Sequence, residues 1–167
     1  MNRETTCCFT GPRPPRLPMN GNEYSDEIIA LKADLRSAIF DAYYDGFRFF
    51  MSGMADGFDL FAAETVLDMK DEFEGIALVA VLPYSGVQNR HSAAVSCRMN
   101  SVLQRADMVC CLSEDYFTGC ELLRNKYMVE RSSRIIGYYN GLSRGTAHCW
   151  KYALENGLET VNLYESI

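Results

Sequence analysis

Anion binding is the chemistry that the residue types and spacings of this chain suggest first. Phe49-Phe50-Met51-Ser52-Gly53-Met54-Ala55-Asp56-Gly57-Phe58-Asp59 runs from an apolar segment through two glycines into an apolar-periodic stretch. A strand that turns through glycine into a helix leaves backbone N–H groups pointing above the sheet, which suits the phosphate of a nucleotide. A second glycine turn occurs at Asn140-Gly141-Leu142-Ser143-Arg144-Gly145-Thr146. Arg13 and Arg16 follow Gly11, and a guanidinium grips phosphate oxygens in bidentate fashion. Arg13, closer to the glycine, is the better candidate, and Arg124-Asn125 is another. Asp59 could bind ribose hydroxyls or fix the shape of its loop. Asp56 reads as an aspartate that caps a helix start. Tyr84 and Tyr116 could stack on a base or simply pack. His91 is a weak candidate. His148 lies behind Gly145-Thr146, where a general-acid role is conceivable and a polar surface role is commoner.

These residues need a scaffold, and the composition allows one. The 167 residues suffice for a single α/β domain, 48% of them apolar, which argues against disorder. A formal net charge of −6 disfavours an electrostatically driven nucleic-acid platform, although a local basic pocket remains compatible with it. No apolar run is long enough to span a bilayer, so no membrane partner is expected. The first residues carry no apolar signal core, and a cytoplasmic setting is the expectation. Seven cysteines occur without a CxxC spacing, and only two histidines accompany them. Buried, reduced thiols are expected, and no metal.

Strand-like and helix-like segments alternate from end to end. Strands are predicted at Thr5–Thr10, Phe47–Ser52, Gly75–Leu82, Ala106–Leu112, Arg134–Tyr139 and Glu159–Leu163. The third and fourth read as fully buried apolar runs. Helices are predicted from Ser25 to Gly46, Phe58 to about Phe73, His91 to about Arg105 and Thr146 to Asn156, with Cys120–Ser132 mixed between helix and turn. Ser25 caps the first, and Gly157 ends the last. The alternation predicts one Rossmann-like domain over residues 1–167, with a mostly parallel sheet and helices on both faces. Ligands of such sheets bind beyond the carboxyl ends of the strands. An exposed apolar helix face could support a homodimer.

Four segments resemble the YpsA-like branch of the SLOG superfamily, whose relatives include DNA-processing protein A and the LOG phosphoribohydrolases. Thr10-Gly11-Pro12-Arg13-Pro14 resembles the family's opening T-G-H-R-P. Ser52-Gly53-Met54-Ala55-Asp56-Gly57-Phe58-Asp59 resembles S-G-x-A-x-G-x-D. Arg124-Asn125-Lys126-Tyr127-Met128-Val129 resembles R-N-x-x-M-V, and Gly145-Thr146 resembles the end of a G-G-T turn. The resemblance implies a nucleotide-type ligand, with no cofactor required, in a cytosolic bacterial-type protein. Gly11, Arg13, Gly53, Gly57, Asp59, Arg124, Asn125, Gly145 and Thr146 would form its site.

Departures from the family pattern matter. Pro12 replaces a histidine, and Arg144 replaces a glycine. Cys149 stands where the LOG enzymes carry a catalytic glutamate, while Arg124 and Met128 match their R-x-x-x-M element. A cysteine near a helix start could have a lowered pKa, yet it does not replace a carboxylate. Binding or sensing of an ADP-ribose-, NAD- or nucleoside-monophosphate-like molecule is therefore the first expectation. A phosphoribohydrolase using Glu121 or Asp59 is the second. A single-stranded DNA-handling protein is the third.

Overall fold

The computed structural model describes residues 1–164. Six strands form one all-parallel sheet: β1 (Thr6–Thr10), β2 (Phe49–Ser52), β3 (Ala77–Leu82), β4 (Met108–Cys111), β5 (Arg134–Gly137) and β6 (Glu159–Asn162), in the order β4-β3-β2-β1-β5-β6. Five helices connect them: α1 (Asp26–Tyr44), α2 (Phe58–Met69), α3 (Ala93–Arg105), α4 (Cys120–Glu130) and α5 (Arg144–Glu155). This is the expected Rossmann-like α/β fold. Among the described residues no helix is long and apolar enough to cross a membrane.

Helix starts follow local chemistry. The Ser25, Ser92 and Ser143 side chains accept hydrogen bonds from Ile28, Val95 and Thr146 N–H, satisfying amides that the first turn cannot pair. At the end of α5, Gly157 adopts φ +72° and its N–H reaches Leu154 O. The left-handed geometry there favours glycine over any residue with a Cβ.

Alternation along β1 divides the core. Cys7 and Phe9 face α1, α2 and α3, while Cys8 faces α4 and α5. The first layer is the larger, with Ile28, Leu35 and Ile39 of α1 and Phe58 and Leu60 of α2 fully buried against Phe9 and Phe50. Each such side chain contributes about 1.5–3 kcal/mol on burial. The second layer packs Met128 and Val129 of α4 with Cys149, Trp150 and Ala153 of α5.

Two expectations need correction. β4 is not a buried strand: it is the sheet's outer edge, with Met108 41% and Val109 49% exposed. Nor are the thiols uniformly buried. Cys97 and Cys111 are exposed and Cys110 is half-buried, because α3 and β4 form one flank of the molecule. Cys7, Cys8, Cys120 and Cys149 are buried, and all seven are free.

Candidate functional site

The strand order reverses between β1 and β5, since the chain builds outward through β2, β3 and β4 and then returns to place β5 on the other side of β1. Connections leaving these two strands part in opposite directions and open a crevice at their carboxyl ends. A cleft of about 900 Å³ occupies this position. Thr10 and Gly11 border it after β1, Leu142–Thr146 after β5, Ala55 and Asp59 at the start of α2, and Gly119–Leu122, Arg124 and Asn125 at the start of α4. Because the sheet is parallel, α2, α4 and α5 all direct their N-termini toward this rim, where partial positive charge accumulates.

Charge in the cleft opposes that of the whole. Arg13, Arg16, Arg124 and Arg144 line it against two carboxylates, Asp59 and Glu121, in a chain of net charge −6. Arg13 pairs with Glu121 at 2.7 Å on the exposed wall, and Arg16 donates to Leu142 O at 2.7 Å. These contacts close the first loop against the segments after β4 and β5.

Arg124 is buried at the cleft's base. Its Nη1 donates to Gly53 O at 2.9 Å, and its Nε and Nη2 donate to Asn125 Oδ1 at 3.2 and 3.1 Å. A guanidinium has five N–H donors, so these three bonds leave two for a ligand. Asp59 is also buried, and burial pushes its carboxyl up to about 6, against the lowering influence of Arg124, the Ala55 N–H and Arg13. Such a carboxyl in a cleft is the kind of group found at functional sites.

The two glycine turns occupy the same rim but differ in use. In the first, Met54 N–H donates to Ser52 Oγ, Ser52 Oγ–H donates to Asp59 O, and Phe58 N–H donates to Pro12 O. Met54 itself adopts φ +59° while fully buried, a strained conformation of the sort that surrounding structure must hold in place. These amides are thus committed to the protein. Neither Gly53 nor Gly57 lines the cleft: Gly53 packs against Arg124 and Asp59, which do, and Gly57 packs against the backbone of Pro12 and Arg13. Gly11 backs onto the Phe58 ring. The second turn is more open. Gly145 is already the second residue of α5, and nothing lies within 4 Å of where its Cβ would stand.

Gly57 yields a stability prediction. It has φ +96°, and a Cβ would sit 2.7 Å from Pro12 O. Gly57→Ala is expected to cost roughly 2–4 kcal/mol through strain and overpacking together. Urea unfolding at fixed m-value measures it, and a cost below 1 kcal/mol would refute this assignment of the glycine.

Tyr116 borders the cleft and meets the buried Tyr84 edge-on at 5.5 Å, with the Arg90 guanidinium over both rings. His148 is exposed and His91 half-buried, and neither lines the cleft. Cys149 corrects an expectation. Its thiol packs in the second apolar layer, and burial pushes it up to about 11 rather than down. α5 begins at Arg144, which puts Cys149 beyond the first turn, where the helix dipole has faded. The lining also includes Ser143, the α5 cap. Its spacing from Thr146 resembles a capping signal, which could have marked this helix start from sequence.

Known proteins resemble this chain in sequence pattern and in fold. The sequence model of YpsA, described as the YspA SLOG family, matches residues 7–163. Among solved structures, DNA processing protein A from Helicobacter pylori, reported with a unique single-stranded DNA binding mode, superposes with a TM-score of 0.67 at 15% identity. The superposition covers 99% of this chain and 67% of that one. DNA processing protein A from Streptococcus pneumoniae gives a TM-score of 0.63 at 14% identity, over 98% of this chain and 52% of its own. This chain therefore spans about half the length of the second relative. No curated protein matches by sequence.

Proposed function

The chain belongs to the YpsA family of the SLOG superfamily, and on that premise we propose that it binds an anionic, nucleotide-derived small molecule in the cleft between β1 and β5. Family and fold support a nucleotide- or DNA-related role in general. The observation that carries the finer reading is the reversal of charge at the topological switch point, four arginines against two carboxylates in an acidic chain. The open start of α5, with the amides of Arg144 and Gly145 ahead of the Ser143–Thr146 cap, takes the phosphate. Arg124 supplies a fixed, buried charge, and Arg13 and Arg16 close over the ligand from the first loop. Tyr116 offers a ring face to the base.

Single-stranded DNA is the second reading. The same arginines suit backbone phosphates, the exposed Tyr116 suits stacking, and a structural neighbour is reported with a single-stranded DNA binding mode. A hydrolytic reading is weaker because the thiol of Cys149 is buried and its pKa raised, so the chemistry would fall to Asp59 or Glu121.

Thermal shift with AMP, ADP-ribose, NAD and an oligothymidylate separates these. A ligand at a hundred times its dissociation constant adds about 2.7 kcal/mol, roughly 5–10 °C for a chain of this size. The expected result is such a rise with at least one of the three nucleotides. A rise with the oligonucleotide alone, collapsing steeply with salt, would replace the proposal by the second reading. Release of free base from AMP would move it to the hydrolytic one.

A further inference from the structure

A phosphate has no use for Asp59, yet Asp59 lines the cleft. The residue is only 5% exposed, and its Oδ1 has no hydrogen-bond partner among the described residues. A buried acceptor left unpaired is costly and calls for an explanation. The obvious partner, Arg124, spends its engaged donors on Gly53 O and Asn125 Oδ1 instead.

Both side chains crowd the point where a Gly53 side chain would begin. A Cβ at that position would stand 2.8 Å from Asp59 Oδ2 and 2.8 Å from Arg124 Nε. The bare Cα therefore leaves room for the carboxyl and the guanidinium together, and Arg124, whose Nε is engaged by Asn125, keeps one free donor on each Nη. A group that only accepts is repelled by Asp59. A group that only donates is repelled by Arg124. A hydroxyl does both.

We infer that the ligand presents a ribose hydroxyl to Asp59 Oδ1 and a free Nη donor of Arg124, so that the cleft selects ribonucleotides over their deoxy analogues. This rests on the nucleotide reading above and adds the sugar to it. A site with a buried polar group waiting for a hydroxyl rejects the analogue that lacks it, because the group is then left unpaired.

Calorimetric titration of the full chain with AMP, 2′-deoxy-AMP and 3′-deoxy-AMP tests the inference. One of the two deoxy compounds is expected to bind about 10- to 100-fold more weakly than AMP. In Asp59→Leu, which cannot accept a hydrogen bond, that ratio is expected to shrink to about threefold or less. Asp59→Asn keeps the shape of the side chain and gives an intermediate ratio, and it decides the matter if the leucine variant fails to fold. Equal binding of all three compounds by the parent protein overturns the inference and leaves the nucleotide reading intact. Discrimination that persists undiminished in both variants overturns it as well, since the hydroxyl is then read elsewhere. No binding of AMP, ADP-ribose or NAD at all removes both readings together.

Discussion

Asp59→Asn is expected to melt higher than the parent protein at pH 8 and to lose that advantage at pH 4. Burial raises the carboxyl from its ordinary 3.8 to about 6. Between those values the folded chain binds a proton that the unfolded chain has released. The contribution of this group to stability is therefore full below about pH 3.8 and is lost as pH rises through 6. At 1.36 kcal/mol per pH unit, the cost of the ionised form above pH 6 is about 3 kcal/mol. Arg124 and Arg13 already favour the charged form, and Glu121 opposes it, so the residual cost is that of burial. An asparagine carries no charge to bury. It keeps a polar group without a full set of partners, which returns part of the gain. A net rise of roughly 5 °C at pH 8 is expected, alongside weaker binding of AMP. A variant that gains stability while losing its ligand marks a residue retained for function at the expense of the fold. Equal melting of parent and variant at both pH values would contradict this account.

Arg124→Ala is expected to fold, to melt lower and to bind AMP about 100-fold more weakly. Truncating a buried charged partner typically costs 2–5 kcal/mol of binding, much of it from groups left behind. Here those groups are Gly53 O and Asn125 Oδ1, which lose their donors, and Asp59, which loses the partner that most lowers its pKa. Asp59 should consequently titrate higher still in this variant, and its stability should fall more steeply between pH 5 and pH 8 than the parent's. Arg124→Lys retains the charge without the planar fork and should recover only part of the affinity. Titration calorimetry and melting curves at two pH values measure both effects, and unchanged affinity in Arg124→Ala would place the ligand elsewhere.

Much of this was readable from residue order, for physical reasons. Ala77–Leu82 is unbroken and apolar because helices cover both its faces. Ile28, Leu31, Leu35 and Ile39 recur at helical spacing because one face of α1 is buried. Met108–Cys111 is equally apolar and misled, since composition records that a strand is apolar but not where it stands across the sheet. That depends on pairing partners distant in sequence, here Val79–Leu82. The glycines were legible as special but not as to purpose. Gly57 and Gly11 make room for Pro12 and Phe58, whereas Gly53 makes room beside Arg124. Only the packed arrangement separates these roles. Thr10, Ala55 and Leu142 also line the cleft, and nothing in their side chains announces it.

The acidic body around the basic cleft has a consequence for kinetics. Outside the crevice but within the Debye length of a dilute buffer, an approaching nucleotide meets the field of the whole molecule, which is repulsive. Within the crevice it meets the arginines. Added salt dampens both, so arrival quickens while residence shortens. Measurements at high ionic strength therefore understate how hard the pocket pulls and overstate how easily it is found.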